Sequence, residues 1–189
     1  MNTIVAKRRL SEAVFRFTFE APYIAEARKA GQFMILQLDD NFGERIPLTI
    51  ADADAEAGTV TVIFQAVGKT TIALSALEEG DSIANVLGPL GTPTHIENFG
   101  TAVCVGGGIG VAPLHPIVEA VKDAGNTVIT IMGARTKELL ILEEEMARLS
   151  DRTIICTDDG SYGRKDLVTA PLKELCEEGV PDIVFGIGP

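Results

Sequence analysis

The feature that most constrains this chain is a change of hydrophobic period near residue 100. Before it, apolar and polar residues alternate, most plainly where Phe15, Phe17 and Phe19 interleave with Arg16, Thr18 and Glu20. Successive side chains of a strand point to opposite faces, so a period of two describes strands with one face buried and one wet. Similar runs stand at 32–38, 45–50, 59–65 and 82–87, with clusters of Gly, Asp and Asn between them. Closely spaced strands with turn residues between them predict an antiparallel barrel. Only 71–79 departs from the pattern, where Ile72, Ala76 and Leu77 fit a short helix that Gly80 would end.

After residue 100 the apolar runs become continuous, at 102–105, 127–132, 153–156 and 183–187. Strands buried on both faces have this composition. The first stretch between them carries Leu114, Ile117, Val118 and Val121 at i, i+3, i+4 and i+7, behind Pro113, which suits a first helical turn. Two more helices are predicted over 137–149 and over 169–178, the latter ahead of Gly179. The order β-α-β-α-β-α-β predicts a parallel sheet wrapped by helices, and hence two domains, 1–98 and 99–189.

Composition narrows the partners. The 189 residues carry 16 Lys plus Arg against 27 Asp plus Glu, a formal charge of −11. Such a surface repels phosphate backbones and anionic lipid, which argues against nucleic acid and membranes and leaves proteins and small molecules. No stretch approaches the ~20 apolar residues of a membrane span, and no apolar segment follows Lys7-Arg8-Arg9, so a cytoplasmic protein is expected. Cys104, Cys156 and Cys176 lie far apart and read as buried, reduced thiols. His95 and His115 stand alone, no CxxC occurs, and no metal site is predicted from this chain by itself. Nor do any residues suggest a Ser-His-Asp or Cys-His nucleophile.

Four motifs carry the chemistry. In VGGGIGVAP (105–113), between the first buried strand and its helix, glycines let backbone amides approach a phosphate while the helix N-terminus supplies partial positive charge. A tight strand-to-helix turn is the plainer alternative, and the spacing is not GxGxxG. CTDDGSYG (156–163) ends the third buried strand at the carboxyl edge, where Asp158 and Asp159 can accept ribose hydroxyls and would repel the extra phosphate of NADP, or else serve as turn and cap residues. RIPLTI (45–50) strings a cation, a proline and a hydroxyl along one extended segment. GKTT (68–71) opens the helix of the first half, offering free amides and two hydroxyls to a pyrophosphate, or simply a cap.

Taken in order with VLGPLGTP (86–93) and FGIGP (185–189), these segments resemble the ferredoxin-NADP reductase superfamily. Within it they are similar to two subfamilies. One is the small (alpha) subunit of NADH-dependent reduced ferredoxin:NADP oxidoreductase, also called sulfide dehydrogenase. The other is the electron-transfer subunit of dihydroorotate dehydrogenase. The resemblance implies a six-stranded Greek-key barrel holding FAD, followed by a domain that brings NAD(P)H to the flavin. It implies that Arg45, Ile46, Pro47, Leu48 and Thr49 border the isoalloxazine and ribityl, with Ile63, Phe64 and Gln65 along the adjoining flavin chain and Thr70 and Thr71 at the pyrophosphate. Gly107, Gly108, Ile109 and Gly110 would face the nicotinamide nucleotide, with Asp158 and Asp159 nearby and Gly188 and Pro189 under the nicotinamide.

The sequence departs from the superfamily's Arg-x-Tyr-Ser/Thr signature. With Thr49 in the hydroxyl position, Ile46 stands at the arginine and Leu48 at the tyrosine, while Arg45 is one residue early, a shift that reverses the face of a strand. Ile187-Gly188-Pro189 stands where a Cys-Gly-Pro is usual. Both subfamilies continue beyond it into a segment whose four cysteines hold a 2Fe-2S cluster; those cysteines are absent here, and the chain reads as a truncated product, with a natural short form as the alternative. The expected function is hydride transfer from NAD(H), preferred over NADP(H), to FAD, and onward electron transfer to a larger flavoprotein partner and through it to ferredoxin. Thr49, at the flavin edge that accepts the hydride, is the expected catalytic residue. A dihydroorotate dehydrogenase partner, or a non-catalytic nucleotide-binding domain, are the alternatives.

Overall fold

The computed structural model describes residues 2–39 and 43–188, and the chain divides into two compact units, 1–94 and 95–189. The first unit contains β1 (Asn2–Arg9), β2 (Val14–Glu20), β3 (Phe33–Gln37), β4 (Arg45–Asp54), β5 (Thr59–Gln65), β6 (Ser82–Ile83) and β7 (Asn85–Leu90). All pairs are antiparallel, in the order β6-β1-β2-β5-β4-β3-β7. The edge strands β6 and β7 are consecutive in the chain and separated by Ala84 alone, so the sheet curls until its two edges meet there. Seven strands stand where six were expected, because the last one breaks at Ala84: Ile83 pairs with Asn2 and Asn85 with Gln37, on opposite edges. β2 lies beside β5, giving the Greek-key order 2-5-4-3.

Inside the curl, Phe17, Phe19, Phe64, Met34, Leu36 and Ile50 are buried, alternate members of their strands as the period of two requires. Phe64 packs edge-on against Phe17, with ring centroids 5.3 Å apart, and stacks on Phe15 at 6.0 Å. β1 was not expected, and a bulge explains why. The register shifts between Ile4 and Ala6, which sets Lys7 and Arg9 opposite Phe17 and Phe15. Lys7 Nζ lies 5.7 Å from the Phe17 ring centroid and the Arg9 guanidinium 5.9 Å from that of Phe15, so cations occupy positions where an alternating pattern calls for apolar residues. Two short helices complete the unit: α1 (Pro22–Ala27), also unexpected, and α2 (Lys69–Ser75), which starts earlier and ends sooner than the 71–79 prediction.

The second unit is a parallel sheet of β8 (Thr101–Gly107), β9 (Thr127–Ala134), β10 (Arg152–Thr157), β11 (Arg164–Lys165) and β12 (Ile183–Ile187), in the order β11-β10-β9-β8-β12. Its helices are α3 (Val111–Asp123), α4 (Glu143–Leu149) and α5 (Thr169–Glu177). The single helix expected over 137–149 is broken. A 3-10 turn, Lys137–Leu139, is followed by an extended Leu140 and then by Leu142 at φ 58°, before α4 begins. The two-residue β11 is also an addition to the predicted elements.

Asn126 ties the approach to β8 onto the end of α3. Its carboxamide donates to the carbonyls of Glu97 (2.9 Å) and Val121 (2.8 Å) and accepts from the amides of Phe99 (2.7 Å) and Gly100 (3.1 Å). Cys104 and Cys156 are buried and Cys176 is exposed, which corrects the expectation of three buried thiols. Burial pushes the Cys104 thiol up to about 12, so it stays protonated and unreactive. No helix among the described residues is long and apolar enough to cross a membrane.

Candidate functional site

In the first unit the candidate site is a break in the sheet. β4 and β5 pair from Asp54 and Thr59 to Ile50 and Val62, and there the ladder stops. Continuing it would pair 46–49 with 63–66, yet 45–49 pair only with β3 and 63–65 only with β2. The strands therefore stop pairing along the two segments that the family resemblance assigns to one ligand. The resulting slot is about 14 Å long for residues 45–49 at strand spacing. Its far end is bridged by Thr70, whose hydroxyl donates to the Glu44 carboxylate. Polar main-chain groups along such a seam need a partner other than the opposing strand, which is what an extended polar ligand supplies.

The side chains of RIPLTI divide by face. Ile46 and Leu48 lie opposite the buried Leu36 and Met34 and pack on the core. Arg45, Pro47 and Thr49 share the outer face, the first two exposed and Thr49 half-buried beside Phe33. Arg45, one residue early in the signature, thus stands on Thr49's face rather than Ile46's. On β5, Phe64 is in the core and can meet a ligand only through its main chain, Ile63 is buried on the other face, and Gln65 is exposed. At the start of α2 the Thr71 hydroxyl accepts from the amides of Gly68 (3.0 Å) and Val67 (3.2 Å), so it is committed to capping, and Thr70 is the hydroxyl that faces Glu44.

In the second unit the candidate site lies at the carboxyl edge, where the strand order reverses on either side of β8. Gly108 to Gly110 form a 3-10 turn between β8 and α3. Two of these glycines have different reasons. A Cβ on Gly110 would lie 2.4 Å from the Ile187 carbonyl oxygen, so its bareness admits the end of β12. Gly108 has φ +54°, and a Cβ there would meet nothing within 4 Å. Gly188 approaches the same turn, since its Cβ would lie 3.3 Å from the Gly107 amide nitrogen. Gly107, Gly108, Ile109, Gly110 and Gly188 are thus brought together, while Pro189 lies outside the described residues.

Asp158 and Asp159 follow β10, two strands from the glycine turn, or about 10 Å along the same edge. They differ. Asp159 accepts from the Ser161 amide (2.9 Å) and hydroxyl (2.7 Å), contacts that hold its carboxyl below the usual range. The turn alternative therefore describes Asp159. Asp158 is exposed, and among the described residues its carboxylate makes no hydrogen bond. Sequence reasoning missed the neighbours. Tyr162 donates to Glu143 (2.7 Å), which raises the phenol, and Lys137 Nζ lies 4.9 Å from the Tyr162 ring centroid. A helix predicted to run unbroken through 137–149 concealed that loop. Among the described residues no cluster of His, Cys, Asp or Glu is suited to a metal ion.

A curled antiparallel sheet followed by a parallel sheet with a glycine turn at its switch point defines the ferredoxin reductase-like fold. It is shared with a ferredoxin NADP+ reductase from Neisseria gonorrhoeae with bound FAD and NADP, at TM-score 0.77, 20% identity and coverage of 98% of this chain and 82% of that one. A much nearer likeness is the structure of NADH-dependent reduced ferredoxin-NADP oxidoreductase, at TM-score 0.93, 44% identity and coverage of 100% and 68%. No family model matches the chain. Among curated proteins it is 45% identical over 189 residues to the Thermotoga maritima homologue of the dihydroorotate dehydrogenase B (NAD(+)) electron transfer subunit, and 33% identical over 192 residues to that subunit of Bacillus pumilus. The chain belongs to the family of these electron transfer subunits and their homologues. It spans 66% of the Thermotoga maritima protein, 61% of a 44%-identical protein of Clostridium beijerinckii and 73% of the Bacillus pumilus subunit.

Proposed function

We propose that this chain is the FAD- and NAD(H)-binding part of an electron-transfer subunit, taking a hydride from NADH and passing electrons to a larger flavoprotein partner. The observation that carries this reading is the parting of β4 from β5 at 46–49 and 63–65, the segments the family resemblance assigns to the flavin. FAD, when bound, would supply the chemistry, accepting a hydride and releasing electrons singly. The residues of this chain would bind and orient. Main-chain groups of 46–49 and 63–65 would hydrogen-bond the ligand along the slot, Thr49 would direct its hydroxyl to the flavin edge, and Thr70 would exchange Glu44 for a pyrophosphate oxygen. Arg45, on the face of Thr49, and Lys69, next to Thr70, are the cations of these segments that would offset the pyrophosphate charge.

In the 95–189 unit, Gly107 to Gly110 would seat the dinucleotide's phosphates against free amides, and Asp158 would accept the adenosine ribose hydroxyls, favouring NAD(H) over NADP(H) by charge repulsion. That relatives are named as electron transfer subunits supports a heteromeric partner, which would be the rest of a dihydroorotate dehydrogenase or a larger flavoprotein of a ferredoxin-NADP oxidoreductase; ferredoxin would be reached through the latter. Titrating FAD with the purified chain tests the slot. Binding shifts and structures the visible flavin band, and a spectrum that stays that of free FAD at excess protein contradicts the proposal.

A further inference from the structure

Two loops leave the carboxyl edge of adjacent strands, 135–142 after β9 and 158–163 after β10, and side chains zip them together. The Asp158 and Asp159 amides donate to the carbonyls of Ala134 (3.1 Å) and Arg135 (3.2 Å). The Lys137 amide donates to the Ser161 hydroxyl (2.9 Å), which itself donates to Asp159 (2.7 Å). The Tyr162 phenol donates to Glu143 (2.7 Å), and the Lys137 ammonium covers one face of its ring. Below them the buried Thr157 hydroxyl donates to the Tyr162 carbonyl (2.7 Å) and accepts from its amide (3.1 Å).

Leu142 makes the geometry possible. It is the non-glycine residue with positive φ among those described, at 58°, and it is the residue that turns the chain into α4 so that Glu143 meets Tyr162. A left-handed leucine is disfavoured by contact between its Cβ and the following carbonyl oxygen, a cost offset here by burial of its side chain. Three carboxylates stand on these loops and a fourth, Glu143, begins α4; three of the four are engaged, Glu143 by Tyr162, Asp159 by Ser161, and Glu138 by the Thr136 side chain and its own amide. Asp158 remains, exposed, on segments that also carry the exposed cations Arg135 and Lys137, with exposed Lys165 just after them in the chain.

Resting on the reading of this unit as a nucleotide site, we propose that Tyr162 is a positioning residue: through Glu143 it locks the two loops so that Asp158 alone faces the ligand's ribose and excludes a 2′-phosphate. Without the lock the loops keep the Lys137–Ser161 contact and the main-chain bonds at their bases but lose the bond that ties 158–163 to the start of α4, and such exposed segments open more readily, so Asp158 is held less firmly. Discrimination then falls although Asp158 is still present.

The test is calorimetric binding of ADP-ribose and of 2′-phospho-ADP-ribose to the full chain, with no flavin required. Asp158→Asn should abolish the preference for ADP-ribose. Tyr162→Phe should weaken ADP-ribose by about three- to tenfold and narrow its preference over the 2′-phosphorylated ligand, as loss of one charge-assisted hydrogen bond predicts. Glu143→Ala should match it, Glu143→Gln, which retains an acceptor oxygen, should restore most of the preference, and the Tyr162→Phe/Glu143→Ala pair should be no worse than either single change. A merely structural tyrosine would lower the melting temperature and leave the preference of the folded protein intact; that result, or a Glu143→Gln variant behaving as Glu143→Ala, overturns the positioning role alone. A parent chain that binds neither ligand overturns the nucleotide-site reading, and the positioning role with it.

Discussion

Gly108 separates the two meanings of the glycine run. Gly110 is explained by the Ile187 carbonyl that its missing Cβ admits, which is packing and would hold with no ligand. Gly108 has open space where a Cβ would stand, so packing makes no demand on it beyond its positive φ. If phosphates sit against this turn, Gly108→Ala should abolish ADP-ribose binding while lowering stability by only about 1 kcal/mol. Retained binding with that small loss would leave the run as a turn. Thr49 is the corresponding residue of the first unit. Thr49→Ala should slow flavin reduction at saturating NADH more than it weakens NADH binding, measured by stopped-flow absorbance; equal rates in variant and parent would remove Thr49 from the reaction. At this scale the sequence was informative about residue type and silent about commitment. It named Asp158 with Asp159 and Thr70 with Thr71 as pairs, and nothing in the letters distinguishes the member spent on a turn or cap from the one left over.

Elements whose pattern follows a single period were legible. β2, β5, β8, β9 and β10 lie close to their predicted spans, because each has a face or pair of faces buried between neighbouring strands; β12 also matches its span, but as an edge strand with Val184 exposed and no residue fully buried, which corrects the expectation of burial on both faces. β1 was hidden by half-buried Lys7 and exposed Arg9 opposite Phe17 and Phe15, α1 by its brevity, and the break in 137–149 by Leu142, whose apolar side chain fits a helix while its backbone leaves one. The slot between β4 and β5 is a relation between elements, and no local pattern in either strand reports where their pairing ends. Asn126 is likewise visible only through its partners. Asn126→Ala would leave two amides and two carbonyls without it, among them the contacts at 97–100, and should cost about 2–4 kcal/mol in urea unfolding. A loss below about 1 kcal/mol would mean that water replaces the carboxamide, and that the approach to β8 is held by other contacts.

For the whole molecule, the change of period at residue 100 is the trace of two units with different sheet chemistry, antiparallel and curled before it, parallel and covered on both faces after it. Each unit carries one candidate site, and no metal-ligating cluster occurs among the described residues. Catalysis by such a chain would consist in binding and aligning two redox ligands, and the proposed function accordingly rests on ordered backbone-binding motifs more than on reactive side chains. The most direct test of that account is an anaerobic visible spectrum of the purified chain with FAD, recorded before and after NADH and, separately, NADPH. The account predicts a protein-bound flavin band that NADH bleaches, and bleaches faster than NADPH does. A bound flavin that neither nucleotide reduces would contradict it.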